Sequence, residues 1–186
     1  MHPLILGPTL ETDRLVLRAP QLADFDDYAA LLADEEAARY IGGDLPRALA
    51  WRKFMTSAGA WALQGFAMFS VLEKASGRWV GNVGPWHPEG WPGDEVGWSL
   101  GREFWGRGYA HEAAIASMDW AFDHLGWTDV IHSIQPENVA SIALAQRMGS
   151  RYLRQARMPA PYEDTEVGLW GQTREHWRAR DAGAQA

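Results

Sequence analysis

The sequence predicts one folded domain in which strands and helices interleave, of α/β or α+β class, and three observations carry that expectation. Short apolar runs, some alternating with period two, recur along the chain. The best amphipathic helix lies between two such runs. The length of 186 residues fits one domain of ordinary size and leaves little room for a second core.

The elements follow in order. Residues 14–18 read RLVLR, the alternation of a half-buried strand. Leu22, Phe25, Tyr28, Ala29, Leu31 and Leu32 then recur at helical spacing. Pro46 opens a second helical stretch whose face is Ala50, Phe54, Ala58, Trp61 and Ala62. Residues 66–72 and 79–83 are dense in strand formers on either side of a Ser-Gly turn, which makes a hairpin. Two prolines and two glycines between Trp86 and Asp94 mark a surface loop, and residues 95–100 form the next strand. Ala110, Ala113, Ala114, Met118, Ala121, Phe122 and Leu125 trace the best amphipathic helix. A strand over 130–134, a helix over 138–148 ending at Gly149, and a last strand over 167–170 complete the chain, and the tail past Arg180 is expected to fray. Trp51, Trp61, Trp120 and Trp177 fall in helical stretches and are expected in the core.

Composition excludes several classes of function. Hydrophobic residues at 47% and charged residues at 22% are globular values, far from those of a disordered chain. A formal charge of -7 disfavours broad attraction to nucleic acid or an anionic membrane. Without cysteine there is no disulfide, no thiolate zinc site and no cysteine nucleophile, a composition that suits the cytosol. The first ten residues do not read as a signal peptide, and no apolar run is long enough for a transmembrane span. His111-Glu112 begins a zinc-type HExxH pattern, but position 115 is Ile115, so no metal is expected.

Gly106-Arg107-Gly108-Tyr109-Ala110 lies between a strand and a helix, where glycines let a ligand approach the backbone and free amides at the helix start favour anions. His111 stands where a dinucleotide fingerprint wants glycine or alanine, and Gly108 is not followed by the Lys-Ser/Thr of a Walker loop. The run WGRGYAHEA, residues 105–113, resembles the pyrophosphate-binding turn of the GNAT superfamily of N-acetyltransferases, in particular its RimJ/RimL-like branch. Thr12-Asp13-Arg14-Leu15-Val16-Leu17-Arg18 is similar to the opening strand of that branch. Asn138-Val139-Ala140-Ser141 followed by Met148-Gly149 is similar to its second cofactor motif.

The resemblance implies a single α+β domain over 1–186, its core about 9–172 and its tail 173–186, with a mixed, mostly antiparallel central sheet flanked by helices. It implies acetyl-CoA as cofactor, with pantetheine between two splayed strands on Trp98, Ser99 and Leu100. The pyrophosphate would lie on the amides of Trp105, Gly106, Arg107, Gly108, Tyr109 and Ala110, where the family often has Gln or Arg in place of Trp105. Asn138 reads as a helix N-cap from the sequence and as a cofactor residue by resemblance, with Ser141 one turn later facing the same ligand. Some relatives carry a tyrosine general acid where this chain has Ala145. Glu95 corresponds to the base of some relatives, and Ser141 is the other catalytic candidate. Trp86, Trp91 and His132 are candidates for the acceptor site, Trp86 and Trp91 as aromatic walls and His132 for the suitability of its pKa.

The implied activity is transfer of the acetyl group from acetyl-CoA to a primary amine, on a peptide N-terminus or a small molecule, by a cytoplasmic monomer or homodimer with no nucleic-acid or membrane partner. The alternative is a non-catalytic module that binds acyl-CoA and regulates.

Overall fold

A computed structural model describes residues 7–183, with the side chains of 7–180. Most of the N-terminal segment read as no export leader, and the end of the tail, lie outside the described residues. Eight strands form one sheet: β1 (Thr9–Glu11), β2 (Leu15–Arg18), β3 (Phe69–Glu73), β4 (Trp79–Trp86), β5 (Glu95–Leu100), β6 (Asp129–Ile134), β7 (Arg151–Arg157) and β8 (Glu166–Thr173). Their order is β1-β2-β3-β4-β5-β6-β8-β7, and every neighbouring pair is antiparallel except β5 with β6. This is the single-domain α+β arrangement the sequence predicted.

The parallel pair requires a crossover, and α4 (Tyr109–His124) supplies it. Its apolar stripe, Ala113, Ala114, Met118, Ala121 and Phe122, is buried in the main core with Leu15, Leu17, Phe69, Val83 and Val96 from the sheet. A second cluster joins α1 (Phe25–Ala33) to α3 (Arg47–Gln64) through Phe25, Tyr28, Leu32, Ala50 and Phe54. Between them a short α2 (Glu35–Ala38) is capped by Asp34, whose carboxylate accepts the amides of Glu36 and Ala37. No helix of the described residues is long and apolar enough to cross a membrane.

The short β1 and α2 were not among the elements the sequence predicted, and further features depart from the sequence reading. β7 went unpredicted because RYLRQAR has no buried face: it is an outer strand whose charges protect an open sheet edge, and its pattern is almost wholly exposed. Trp51 is 40% exposed rather than core. It lies one position past Ala50, off the stripe that α3 buries, with its ring 4.8 Å from that of Phe25 at the surface. Beyond β8 the helical stretch expected around Trp177 forms α6 (Arg174–Gly183), which runs on past Arg180 into the segment expected to fray. The Trp177 indole is buried as expected, packs against Phe122 and donates to Asp119 Oδ1 at 2.7 Å.

Trp177→Ala should therefore destabilise the domain by about 3–5 kcal/mol, read from the midpoint of urea unfolding.

Candidate active site

β5 and β6 begin as partners and then part. Glu95 is in register with Ile131, whose amide donates to the Asp94 carbonyl at 2.8 Å. In a regular parallel ladder the next rung would run from the Ser133 amide to the Val96 carbonyl. Side chains take both groups instead. His132 Nδ1 donates to the Val96 oxygen at 2.6 Å, and the Ser133 amide donates to Glu95 Oε1 at 3.3 Å. The fork stays open because the groups that would close it are already satisfied. Beyond it, Trp98 reaches out to α5 (Val139–Arg147), where its Nε1 donates to Ser141 Oγ at 3.1 Å. The edge of β5 from Gly97 to Leu100 thus has no ladder partner on the β6 side.

His132 is 1% exposed, and its other nitrogen, Nε2, accepts from Ser150 Oγ at 3.0 Å. Burial drives its pKa down from the ordinary 6.5 to about 4, so the ring is neutral at pH 7. Neither nitrogen is left for an acceptor molecule.

Glu95 sits at the mouth of the fork, paired across β4 with Trp86. It is 7% exposed, accepts from Trp91 Nε1 at 2.6 Å, and has no cationic partner among the described residues. Burial pushes its pKa above the ordinary carboxylate value, partly offset by the bonds from Trp91 and Ser133. Trp86 and Trp91 meet edge-on, centroids 6.5 Å apart, and with Glu95 they line a cavity of about 640 Å³ that extends to Trp98, Ser99, Asn138 and Ser141.

At the far end of β5 the chain turns into α4. Trp105 Nε1 donates to the Leu100 carbonyl at 2.9 Å and folds the connection back on the strand. Gly106 and Gly108 take φ of +71° and +79°, a left-handed conformation that side chains rarely adopt, and Gly108 is the N-cap of α4. The amides that open this 16-residue helix have no partner within it, and a Cβ on Gly106 would meet no atom within 4 Å. Arg14 pins the turn to β2: its Nη1 donates to the Arg107 carbonyl at 2.9 Å and its Nε to Glu112 Oε2 at 2.7 Å. Thr12 also donates to Glu112, at 2.5 Å, and Tyr109 donates its hydroxyl to Glu73. Arg107 lies 3.8 Å from Glu73 and is about half exposed.

On α5, Asn138 is the N-cap, its Oδ1 accepting the Ser141 amide at 3.2 Å. Because Ser141 Oγ already accepts from Trp98, its own hydroxyl proton is left to donate. Ala145 is fully buried. The structure therefore brings Glu95, Trp86, Trp91, Trp98, Ser99, Asn138 and Ser141 onto one cavity and sets the glycine turn at the other end of β5. Sequence reasoning missed the clamp role of Arg14, which reads only as the start of a strand. It also passed over Asn82, a polar residue in the apolar strand β4 whose very incongruity was a signal.

Comparison with known proteins now bears on this geometry. The family described as the acetyltransferase (GNAT) domain matches residues 14–151. The chain belongs to the GNAT acetyltransferases. It is 32% identical over 142 residues to an uncharacterized N-acetyltransferase, p20, of Bacillus licheniformis, covering 73% of this chain and 78% of that protein. The acetyltransferase of Agrobacterium tumefaciens str. C58 superposes with a TM-score of 0.80 at 30% identity, over 90% of this chain and 95% of that one. A ribosomal-protein-S5-alanine acetyltransferase of Vibrio fischeri shares the fold at 17% identity and a TM-score of 0.69, over 92% and 99%.

As a GNAT acetyltransferase this domain is an acetyl-CoA-dependent acyltransferase. Its residues fit such a cosubstrate: an unpaired strand edge offers alternating amides and carbonyls, and it leads to a glycine turn with free helix-start amides.

The neutral His132 has a measurable consequence. Its pKa is lower folded than unfolded, so unfolding takes up a proton between about pH 6.5 and 4, and stability falls as the pH falls through that window. His132→Gln should lose this component, making the decline shallower by up to about 1.4 kcal/mol per pH unit in urea titrations across that range.

Proposed function

We propose that this GNAT domain, of the RimJ/RimL-like branch, transfers the acetyl group of acetyl-CoA to a primary amine, with Glu95 as general base and Ser141 as proton donor. The observation that carries the reading is Glu95 itself: a buried carboxylate without a counter-cation among the described residues, its pKa raised, at the mouth of a fork in the sheet. Beyond its bond to the Ser133 amide, a carboxylate in such a place is suited to take a proton from an ammonium group.

When bound, acetyl-CoA supplies an acetyl group activated as a thioester, so that the amide N–C bond forms as the C–S bond breaks. Trp98, Ser99 and Leu100 offer the free edge of β5 to pantetheine, and the turn from Trp105 to Ala110 offers backbone amides and Arg107 to the pyrophosphate. Glu95 takes the first proton from the acceptor ammonium, directly or through one water. Ser141, oriented by Trp98 and by the cap at Asn138, passes its hydroxyl proton to the departing sulfur and regains one from the second proton that the nitrogen releases. An α-amino group with a pKa near 8 asks less of Glu95 than a lysine near 10.4. The buried methyl of Ala145, where some relatives carry a tyrosine general acid, favours the non-catalytic module.

Thiol release from acetyl-CoA, measured against pools of N-terminal peptides, polyamines and amino acids, with cofactor binding followed by calorimetry, separates the two. Turnover supports the transferase, and tight binding without turnover in any pool supports the module. Glu95→Gln should lower kcat/KM by about 10²–10⁴-fold while leaving acetyl-CoA affinity unchanged. Glu95→Gln should also raise thermal stability at pH 7 and lose that advantage at low pH, because the wild-type carboxyl is then protonated. Gly108→Val should abolish acetyl-CoA binding in a folded protein, since valine resists the +79° backbone.

A further inference from the structure

The walls of the cavity differ in the kind of group they present. On the sheet side stand hydrogen-bond acceptors. Glu95 is one. Asn82 is another: its Nδ2 donates to Met68 Sδ at 3.0 Å, which leaves Oδ1 buried without a donor among the described residues. The register Trp86 with Glu95 and Asn82 with Ser99 puts Asn82 and Glu95 on the same face of the sheet. Ser133 Oγ, on the same lining, is also buried without a partner among the described residues. Buried acceptors lacking donors are costly, and an ammonium or amine supplies the missing N–H groups.

The helical side presents cations. Lys53, on α3, donates from Nζ to the Ile41 carbonyl at 2.7 Å, spending one of three protons. It has no carboxylate within ion-pair distance among the described residues, and burial lowers its pKa from the ordinary lysine value. Arg39 is exposed on the same lining, and it too lacks an acidic partner among the described residues. The remaining acid of the lining, Glu89, is exposed on the 86–94 loop.

The loop that carries Arg39 and Ile41 also roofs the cavity. Tyr40 donates its hydroxyl to the Glu137 carbonyl at 3.3 Å, and Gly42 packs so closely on Tyr162 that a Cβ there would lie 3.1 Å from its ring. Gly90 approaches Pro159 from the other side, at 3.6 Å by the same measure. Tyr162 in turn packs on the cluster of Ile131, Met158 and Val167 that Trp91 also touches, so the roof closes next to Glu95.

We infer that the acceptor is a small aminocarboxylate, its amine turned to Glu95 and Asn82 on the sheet wall and its carboxylate held by Lys53 under the roof, with Arg39 at the rim. This rests on the acetyl-transfer reading. Asn82 and Lys53 become binding residues for the acceptor, and a cavity with acceptors on one wall and cations on the other discriminates against polyamines, which have no anion to offer. A peptide N-terminus with an acidic side chain carries the same two groups, but the roof favours the free small molecule.

The test uses acceptors in matched threes: an aminocarboxylate, its carboxamide and its decarboxylated amine. The set runs from α-amino acids to 5-aminopentanoate, with acidic and neutral peptides alongside. Thiol release is expected to be at least about tenfold more efficient for one aminocarboxylate than for its amide and its amine, the scale of a charge-assisted hydrogen bond. Lys53→Met should shrink that preference about tenfold or more through KM rather than kcat, and Lys53→Arg should restore most of it. Circular dichroism of both variants confirms that they are folded.

Equal or better turnover of the amides and amines overturns the inference and leaves acetyl transfer standing, as does a preference for acidic peptides over every free aminocarboxylate. An unchanged preference in folded Lys53→Met also overturns it. If no acceptor is turned over, the same aminocarboxylates are titrated calorimetrically into the protein saturated with acetyl-CoA. Binding lost in Lys53→Met upholds the inference, and no binding overturns it. Failure to bind acetyl-CoA at all falsifies the transferase reading instead.

Discussion

The hydrogen bond from the His132 ring to the Val96 carbonyl is the constraint on which the rest of the site depends. Backbone groups of adjacent parallel strands pair unless something satisfies them first, and an unpaired carbonyl buried at that depth would draw the strands together. His132 satisfies the carbonyl of one strand, and Glu95 satisfies the amide of the other. With both occupied, the rest of β5 is free to serve a ligand, and Trp98 is free to turn to α5. One pair of side chains thus creates the gap, and one of the pair is also the candidate base. Glu95 is fixed in place by the same bond that keeps the strands apart.

The two ends of β5 are held by different means. At the glycine turn the fixing is electrostatic and exposed, with Arg14 tying Glu112 to the Arg107 carbonyl. Such contacts are individually weak, but several of them meet on one loop and set where the helix begins. At the Glu95 end the fixing is buried and aromatic, with Trp86 and Trp91 shielding a carboxylate that water would otherwise level to its ordinary acidity. The difference fits the two roles proposed for these ends, a pyrophosphate held at an exposed turn and a proton taken up by a shielded carboxylate.

Much of this fold is legible in the sequence because its core elements follow simple periods. β5 falls where its residues were expected, and α4 follows the three-and-four spacing of its apolar stripe. The glycine turn is visible because only glycine accepts its backbone. What escaped is what lacks a period. β7 carries no apolar face, since an outer strand gains more from repulsive charge than from burial. Trp51 was misplaced because residue type outweighed helical position. The clamp by Arg14, the turn of Asn82 toward Met68 and the seat of the Lys53 ammonium on the Ile41 carbonyl arise from contacts between separate elements, 98, 14 and 12 residues apart, which no local pattern encodes. His132 was singled out for its chemistry, yet the fold uses its geometry.

The bonds through His132 also form a line with one sense. Gln172 donates to Ser150 Oγ, Ser150 donates to Nε2 of the ring, and the ring donates from Nδ1 to Val96. An amide at the head of the line can only give on that side, so each later member must receive on one side and give on the other. Imidazole in a single tautomer does this across a rigid ring, which no other side chain matches in reach and stiffness. The separation of two strands is thereby coupled to an amide on β8, the far neighbour of β6, so the proton order of one strand pair sets the spacing of the next.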